Sequence, residues 1–297
     1  MTGFTVVEVP QWQGSGSATA RRLRRGAAAL AALIPADERV RIEVGDEPGT
    51  AGDGVGALGV LVRNLHAVRA AQADVGGRTM VTVGGDCGVG LAPVEAALAR
   101  FGAGLAVVWL DAHGGLNTPA SSPSGAVHGM VLRALLGDGP RDLTPTRTLR
   151  PAQVVLAGVR ALDPGERAFI EGNAIAHLDT PRLVEPSALV DAVAATGAHA
   201  VYLHIDLDRL DRRLFASVGT GEPGGLTPDQ LTVAVHALAA RFTVAGLGIT
   251  KYEPGRPADR DLPADLVDAF VPVIRPARSA GPPDVSRGRG PTVTGPV

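Results

Sequence analysis

Cysteine and lysine are almost missing from this 297-residue chain, and each shortage closes off a class of protein. One cysteine, Cys87, excludes an internal disulfide, so the chain carries no mark of an oxidising compartment. One lysine, Lys251, stands among 28 basic residues set against 30 acidic ones, a formal net charge of −2. That balance offers no electrostatic footprint for nucleic acid or an anionic membrane, and no partner of either kind is expected. Long apolar runs are missing too: none approaches the ~18 residues of a spanning helix. The opening MTGFTVVEVPQWQGSG has no cationic segment ahead of an apolar one, so a cytoplasmic protein is expected. What is abundant is core material, with 45% hydrophobic residues.

Short β-branched runs alternate with longer Ala/Leu/Arg segments of helical period, the pattern of stacked β-α units. Strands are predicted at 4–9, 41–44, 80–85, 104–111, 153–159, 199–206 and 243–250. Helices are predicted at 18–33, 57–73, 91–101, 127–136, 186–195 and 227–240. The fold class is therefore α/β, a three-layer α-β-α arrangement on a mostly parallel sheet of about eight strands. Residues 1–275 form one domain, and the Pro/Gly/Arg-rich 276–297 reads as a disordered tail.

In open parallel sheets, ligands bind outside the carboxyl ends of the strands. The reactive side chains of this sequence fall there. VTVGGDCGVG ends one strand with Asp86 and Cys87, VWLDAHGGLN the next with Asp111 and His113, and YLHIDLDRLD a third with Asp206 and Asp208. Spacing i, i+2 points both members of a pair to one side of an extended chain, so one cation could reach all of Asp111, His113, Asp206 and Asp208. Such an oxygen-rich set suits Mn²⁺. The plainer reading makes each Asp a turn former or helix cap and His113 a satisfied loop histidine.

These motifs resemble those of the ureohydrolase family of arginases, agmatinases and formiminoglutamases, from about residue 80 to 254. GGDC is similar to Gly-Gly-Asp-His, DAHGG to Asp-Ala-His-x-Asp, and HIDLDRLD to Ser-x-Asp-x-Asp-x-x-Asp; NTPASSPSGAVHGM and GTGEPGGLT resemble neighbouring family segments. The resemblance implies two Mn²⁺ ions whose hydroxide attacks an amidine carbon. One set, Asp111, His113, Asp206 and Asp208, is complete; the other has Cys87 for its His and Gly115 for its own Asp. One firmly bound Mn²⁺ is therefore expected. Cys87 reads as a thiolate ligand, a nucleophile or an inert buried residue.

The resemblance also places the substrate. Asn117 and Ser124 would hold an α-carboxylate, Asp163 with Glu166 close behind an α-amino group, and His128 would act as general acid on the leaving amine. Lys251, in KYEP, stands where family members carry a guanidinium-binding Glu. Facing cations cost several kcal/mol at an effective dielectric of about 20, so L-arginine should be a poor substrate. Glu222 or Glu253 could pair with Lys251, or the lysine could be an exposed snorkelling one. His204 is expected to pack without ligating, and His66, His177, His199 and His236 carry no chemistry.

The expected function is hydrolysis of a linear C–N bond in a modified arginine-like amino acid, such as an N-hydroxyguanidine or ureido compound, by analogy in a biosynthetic pathway. The alternative is a catalytically impaired relative acting as a binding or regulatory subunit. The resemblance further implies a homo-oligomer, trimeric or hexameric.

Overall fold

The computed structural model describes residues 3–75 and 78–274; the expected tail at 276–297 lies outside them. Eight parallel strands form one sheet: β1 (Phe4–Val9), β2 (Glu38–Arg41), β3 (Thr79–Gly84), β4 (Leu105–Leu110), β5 (Val154–Ala157), β6 (Ala176–Leu178), β7 (Ala200–Asp206) and β8 (Thr243–Thr250). Their spatial order is β2-β1-β3-β8-β7-β4-β5-β6.

Both faces are covered, which explains why the strands read as continuous apolar runs. In β4, Leu105, Val107 and Trp109 join one core cluster while Ala106, Val108 and Leu110 join the other. The first cluster takes in α2 (Leu58–Asp74), α3 (Leu91–Phe101), α4 (Val131–Leu135) and α5 (Pro164–Gly172). The second takes in α1 (Leu23–Leu33), α6 (Pro186–Ala195), α7 (Pro228–Arg241) and α8 (Leu262–Ile274). At about 1.5–3 kcal/mol for each large apolar side chain removed from water, these two layers are the dominant stabilising contribution. Among the described residues no helix is long and apolar enough to cross a membrane.

The differences from the predicted elements have local causes. Strand β2 lies at 38–41 rather than 41–44, because a charged edge strand pairs through its backbone while Ile42 and Val44 beyond it turn into the core. Strand β6 has three residues, too few to show alternation. Helix α8 carries Pro272 inside it, which breaks the sequence signal.

Consecutive in the sheet are β3, β8, β7 and β4. Their carboxyl ends deliver, in that order, Cys87, Lys251, the Asp206/Asp208 pair and the Asp111/His113 pair. Helix α1 buttresses this edge at Gly26, where an added Cβ would lie 1.8 Å from the carbonyl oxygen of Tyr252, next to Lys251. Gly26→Ala should therefore destabilise by ~1–3 kcal/mol through overpacking, although alanine is the better helix former by about 1 kcal/mol. A thermal melt checks it, and a raised midpoint would contradict the close approach.

Candidate metal centre

The Asp-x-His and Asp-x-Asp spacings work through turns rather than an extended chain. Strand β4 stops at Leu110, and Asp111 Oδ1 accepts a hydrogen bond from the backbone N–H of His113 at 2.7 Å. Asp206 ends β7 and its Oδ1 accepts from the backbone N–H of Asp208 at 2.8 Å. Each first carboxylate thus folds the chain so that the second side chain swings back beside it.

The result is two clusters sharing Asp111. Cys87, Asp111, His204 and Asp206 form one, and Asp111, His113 and Asp208 the other, with ligand atoms in each within 4.8 Å of one another. Asp206, expected with His113, falls in the first. Cys87 Sγ donates to Asp206 Oδ2 at 3.1 Å. His113 Nδ1 lies 3.2 Å from Asp208 Oδ2 and 3.5 Å from Asp111 Oδ1.

Such crowding of buried carboxylates calls for positive charge. Burial, then Asp208 and Asp111, pushes the Asp206 carboxyl well above the usual range. Burial also raises Asp208, but His113 more than reverses this and holds it low. Burial alone would lower the His113 imidazole; Asp208 and Asp111 instead push it up to about 11. The hard oxygen and imidazole donors of the second cluster fit Mn²⁺. In the metal-free protein the His113 imidazolium itself supplies the cation. A dication must displace that proton, so Mn²⁺ affinity should rise up to ~10-fold per pH unit between about pH 7 and 9, with proton release. Calorimetry in buffers of different ionisation enthalpy measures both; a flat profile would exclude His113 as a ligand.

His204 was expected only to pack. It is fully buried with neither ring nitrogen hydrogen-bonded, and it stacks on Trp109 with centroids 3.6 Å apart. Burial pushes it down to about 3, so its ring is neutral and has lone-pair character to offer. Stranding a buried polar group costs ~1–3 kcal/mol, and His204 leaves both of its nitrogens in that state. Its alternation with Ile205 on β7, on the same face as Asp206, is the signal that could have found it.

Lys251 is 1% exposed, which removes the snorkelling reading. Its φ of +69° is unfavourable for a lysine by roughly 1–2 kcal/mol, and its backbone N–H is held by Gly85 O at 2.8 Å. Nζ donates to Thr220 Oγ1 at 3.4 Å, and Thr220 spends its own hydroxyl proton on Asp208 Oδ2 at 2.9 Å. Burial lowers the ammonium, but Cys87 and Asp206 more than restore it, so Lys251 is charged. Thr220 went unassigned in the sequence, where its GTG turn was the available clue. The expected pairing with glutamate is not formed: Glu253 Oε2 accepts from Ser17 Oγ at 3.1 Å and from Thr19 Oγ1. Glu222 contributes its backbone oxygen to Arg160 Nη2 at 3.0 Å.

The expected substrate residues gather around a cavity of about 310 Å³ that reaches His113 and His128. Asn117 Nδ2 donates to Asp163 Oδ2 at 2.7 Å, joining the two residues assigned to the amino-acid end. Ser124 lines the rim, its Oγ accepting from Ala126 N at 3.2 Å. Glu166 is 3% exposed and takes the N–H groups of Leu116 and Asp163, both at 2.9 Å, so it braces the loop beneath the cavity. Burial, then Lys251 and His113, holds the His128 imidazole well below its ordinary value. In the metal-free protein the His128 ring is therefore neutral.

The carboxyl ends of a parallel α/β sheet here gather buried carboxylate and histidine clusters that could hold a metal ion. Residues 17–267 match the arginase family, and the chain belongs to that family. It is 33% identical to an arginase of Staphylococcus aureus over 187 residues, 60% of this chain and 61% of that one, so the match spans under two thirds of that relative. With an arginase of Bacillus caldovelox it shares 34% over 212 residues, 65% of this chain and 70% of the other. The solved structure of Bacillus caldovelox arginase aligns with a TM-score of 0.80 at 27% identity, covering 91% of this chain and 98% of that one.

Proposed function

We propose that this chain hydrolyses a linear C–N bond of amidine type in an arginine-like α-amino acid whose side-chain end is neutral or anionic, such as an N-hydroxyguanidine or a ureido compound. The observation that carries this reading is Lys251, a buried ammonium with a single long hydrogen bond, standing where the family resemblance implies a guanidinium-binding carboxylate. An ammonium with unused donors recruits an oxygen-bearing group and rejects a guanidinium.

A dication on Asp111, His113 and Asp208 would supply the Lewis-acid charge that makes water nucleophilic at neutral pH. The remaining work falls to the chain. Asp163, fixed by Asn117, offers its carboxylate to the α-ammonium, and the Ser124 hydroxyl serves the α-carboxylate. Thr220 turns a lone pair, not a proton, toward Lys251, because its proton is committed to Asp208. His128, which lines the cavity with His113, is placed to donate a proton to the leaving nitrogen.

The test is a panel of L-arginine, N-hydroxy-L-arginine, ureido amino acids and agmatine, assayed with added Mn²⁺ for release of the amine product. Turnover of an oxygen-bearing analogue well above L-arginine supports the proposal. Arginine as the best substrate would overturn the assigned specificity, and no turnover across the panel would favour the binding or regulatory reading.

A further inference from the structure

Glu253, which does not pair with Lys251, is spent elsewhere. Its carboxylate is buried, and one oxygen, Oε2, takes hydroxyl protons from both Ser17, at 3.1 Å, and Thr19. The other, Oε1, has no hydrogen-bond partner and faces Gly219, where an added Cβ would lie 2.3 Å from it and 2.3 Å from Ser17 Oγ. The backbone N–H of Glu253 goes to Ser217 O at 2.7 Å. One residue thus draws together three segments far apart in sequence: the loop that follows β1, the turn at 217–220 and the chain leaving β8. A buried carboxylate with a stranded acceptor is costly to keep, and what it secures here is loops rather than either core layer.

We propose that Glu253 is a positioning residue, setting His128 from one side of the site and the Thr220–Lys251 pair from the other. The loop it holds reaches His128 directly. Gly14 O accepts the His128 backbone N–H at 3.0 Å, the Gly14 N–H is tied to Asp86 Oδ2 at 2.9 Å, and an added Cβ on Gly16 would lie 3.6 Å from His128 Nε2. Ser17 is the next residue along. On the other side, Gly219 immediately precedes Thr220, whose hydroxyl joins Lys251 to Asp208. Glu253 acts on these groups through Ser17, Thr19 and the turn. Its bearing on catalysis rests on the function proposed above, whereas its hold on the loop does not.

In Glu253→Ala, hydrogen exchange at the amides of Gly14 and His128 should quicken at least ~10-fold while the amides of β4 and β7 keep their rates; a general loss of stability would speed all of them. The kcat should fall ~100-fold, the scale of a small misplacement of a catalytic group, with Mn²⁺ affinity within about twofold of wild type. Glu253→Gln retains an oxygen for both hydroxyls, so it should recover the exchange rates and most of kcat. Ser17→Ala with Thr19→Val removes the same bonds from the loop side and should reproduce the losses even where Glu253→Ala fails to fold. If both fold, combining them should cost no more than either alone. Unchanged exchange at Gly14 and His128, a Gln variant no better than Ala, or additive losses would each overturn the proposal. If the wild-type chain turns over no member of the substrate panel, the function proposed above fails, and hydrogen exchange still decides whether Glu253 sets the loop at His128.

Discussion

Under the proposed specificity, Lys251→Glu is expected to raise hydrolysis of L-arginine while turnover of an oxygen-bearing analogue collapses. The side chain is 1% exposed, so solvent does little to screen its charge. Two unit charges ~5 Å apart at an effective dielectric of about 20 interact by ~3 kcal/mol, and reversing the sign moves the balance by up to about twice that. Part of this is offset by desolvation of the new carboxylate. The expected change in the ratio of kcat/KM between L-arginine and the oxygen-bearing analogue is at least ~10³. Lys251→Met should fall between the two, poor with both substrates. Metal content measured alongside separates loss of charge recognition from loss of the centre. If the wild-type chain and Lys251→Glu treat arginine alike, Lys251 does not read the substrate.

The second large effect concerns Asp111, the one residue common to both ligand clusters. Asp111→Asn keeps an oxygen to accept the His113 N–H, so the turn at 111–113 should survive. It removes the carboxylate charge common to the two clusters. A ligand at a thousand times its dissociation constant stabilises the protein that binds it by about 4 kcal/mol. The wild-type chain should therefore gain several degrees in melting midpoint on adding Mn²⁺, and Asp111→Asn should gain almost none. Activity in the variant should drop at least ~10³-fold. A full Mn²⁺-dependent shift in Asp111→Asn would show that the clusters are not where the ion binds.

Much of the centre is legible in the amino-acid sequence. Asp at the carboxyl end of an apolar run, followed two residues later by His or Asp, marks a strand running into a ligand-bearing turn, and β4 and β7 end that way. The reason for the spacing is not legible there. It rests on a hydrogen bond from each carboxylate to the backbone two residues on, and not on strand alternation. Glu253 misleads because its spacing from Lys251 reads as a shared strand face, whereas β8 ends at Thr250 and the Glu253 carboxylate is drawn off by Ser17 and Thr19, more than two hundred positions away in sequence. His204 misleads in the opposite sense. A histidine before an Asp-x-Asp pair looks like filler until its surroundings are known to hold no hydrogen-bond partner for it.

The sequence alone determined the α/β class, the order of most strands and helices, and the chemical types at the strand ends, because periodicity and turn chemistry are local properties of the chain. Tertiary structure decided which ends meet. By placing β3, β8, β7 and β4 side by side, the sheet sets Cys87, Lys251, Asp206 and Asp111 around one point, though they are spread over more than half the chain. It also decided protonation. Whether His113 carries a proton, His128 lacks one and Lys251 stays charged depends on burial and on the carboxylates around them, and those quantities exist only once the chain is folded.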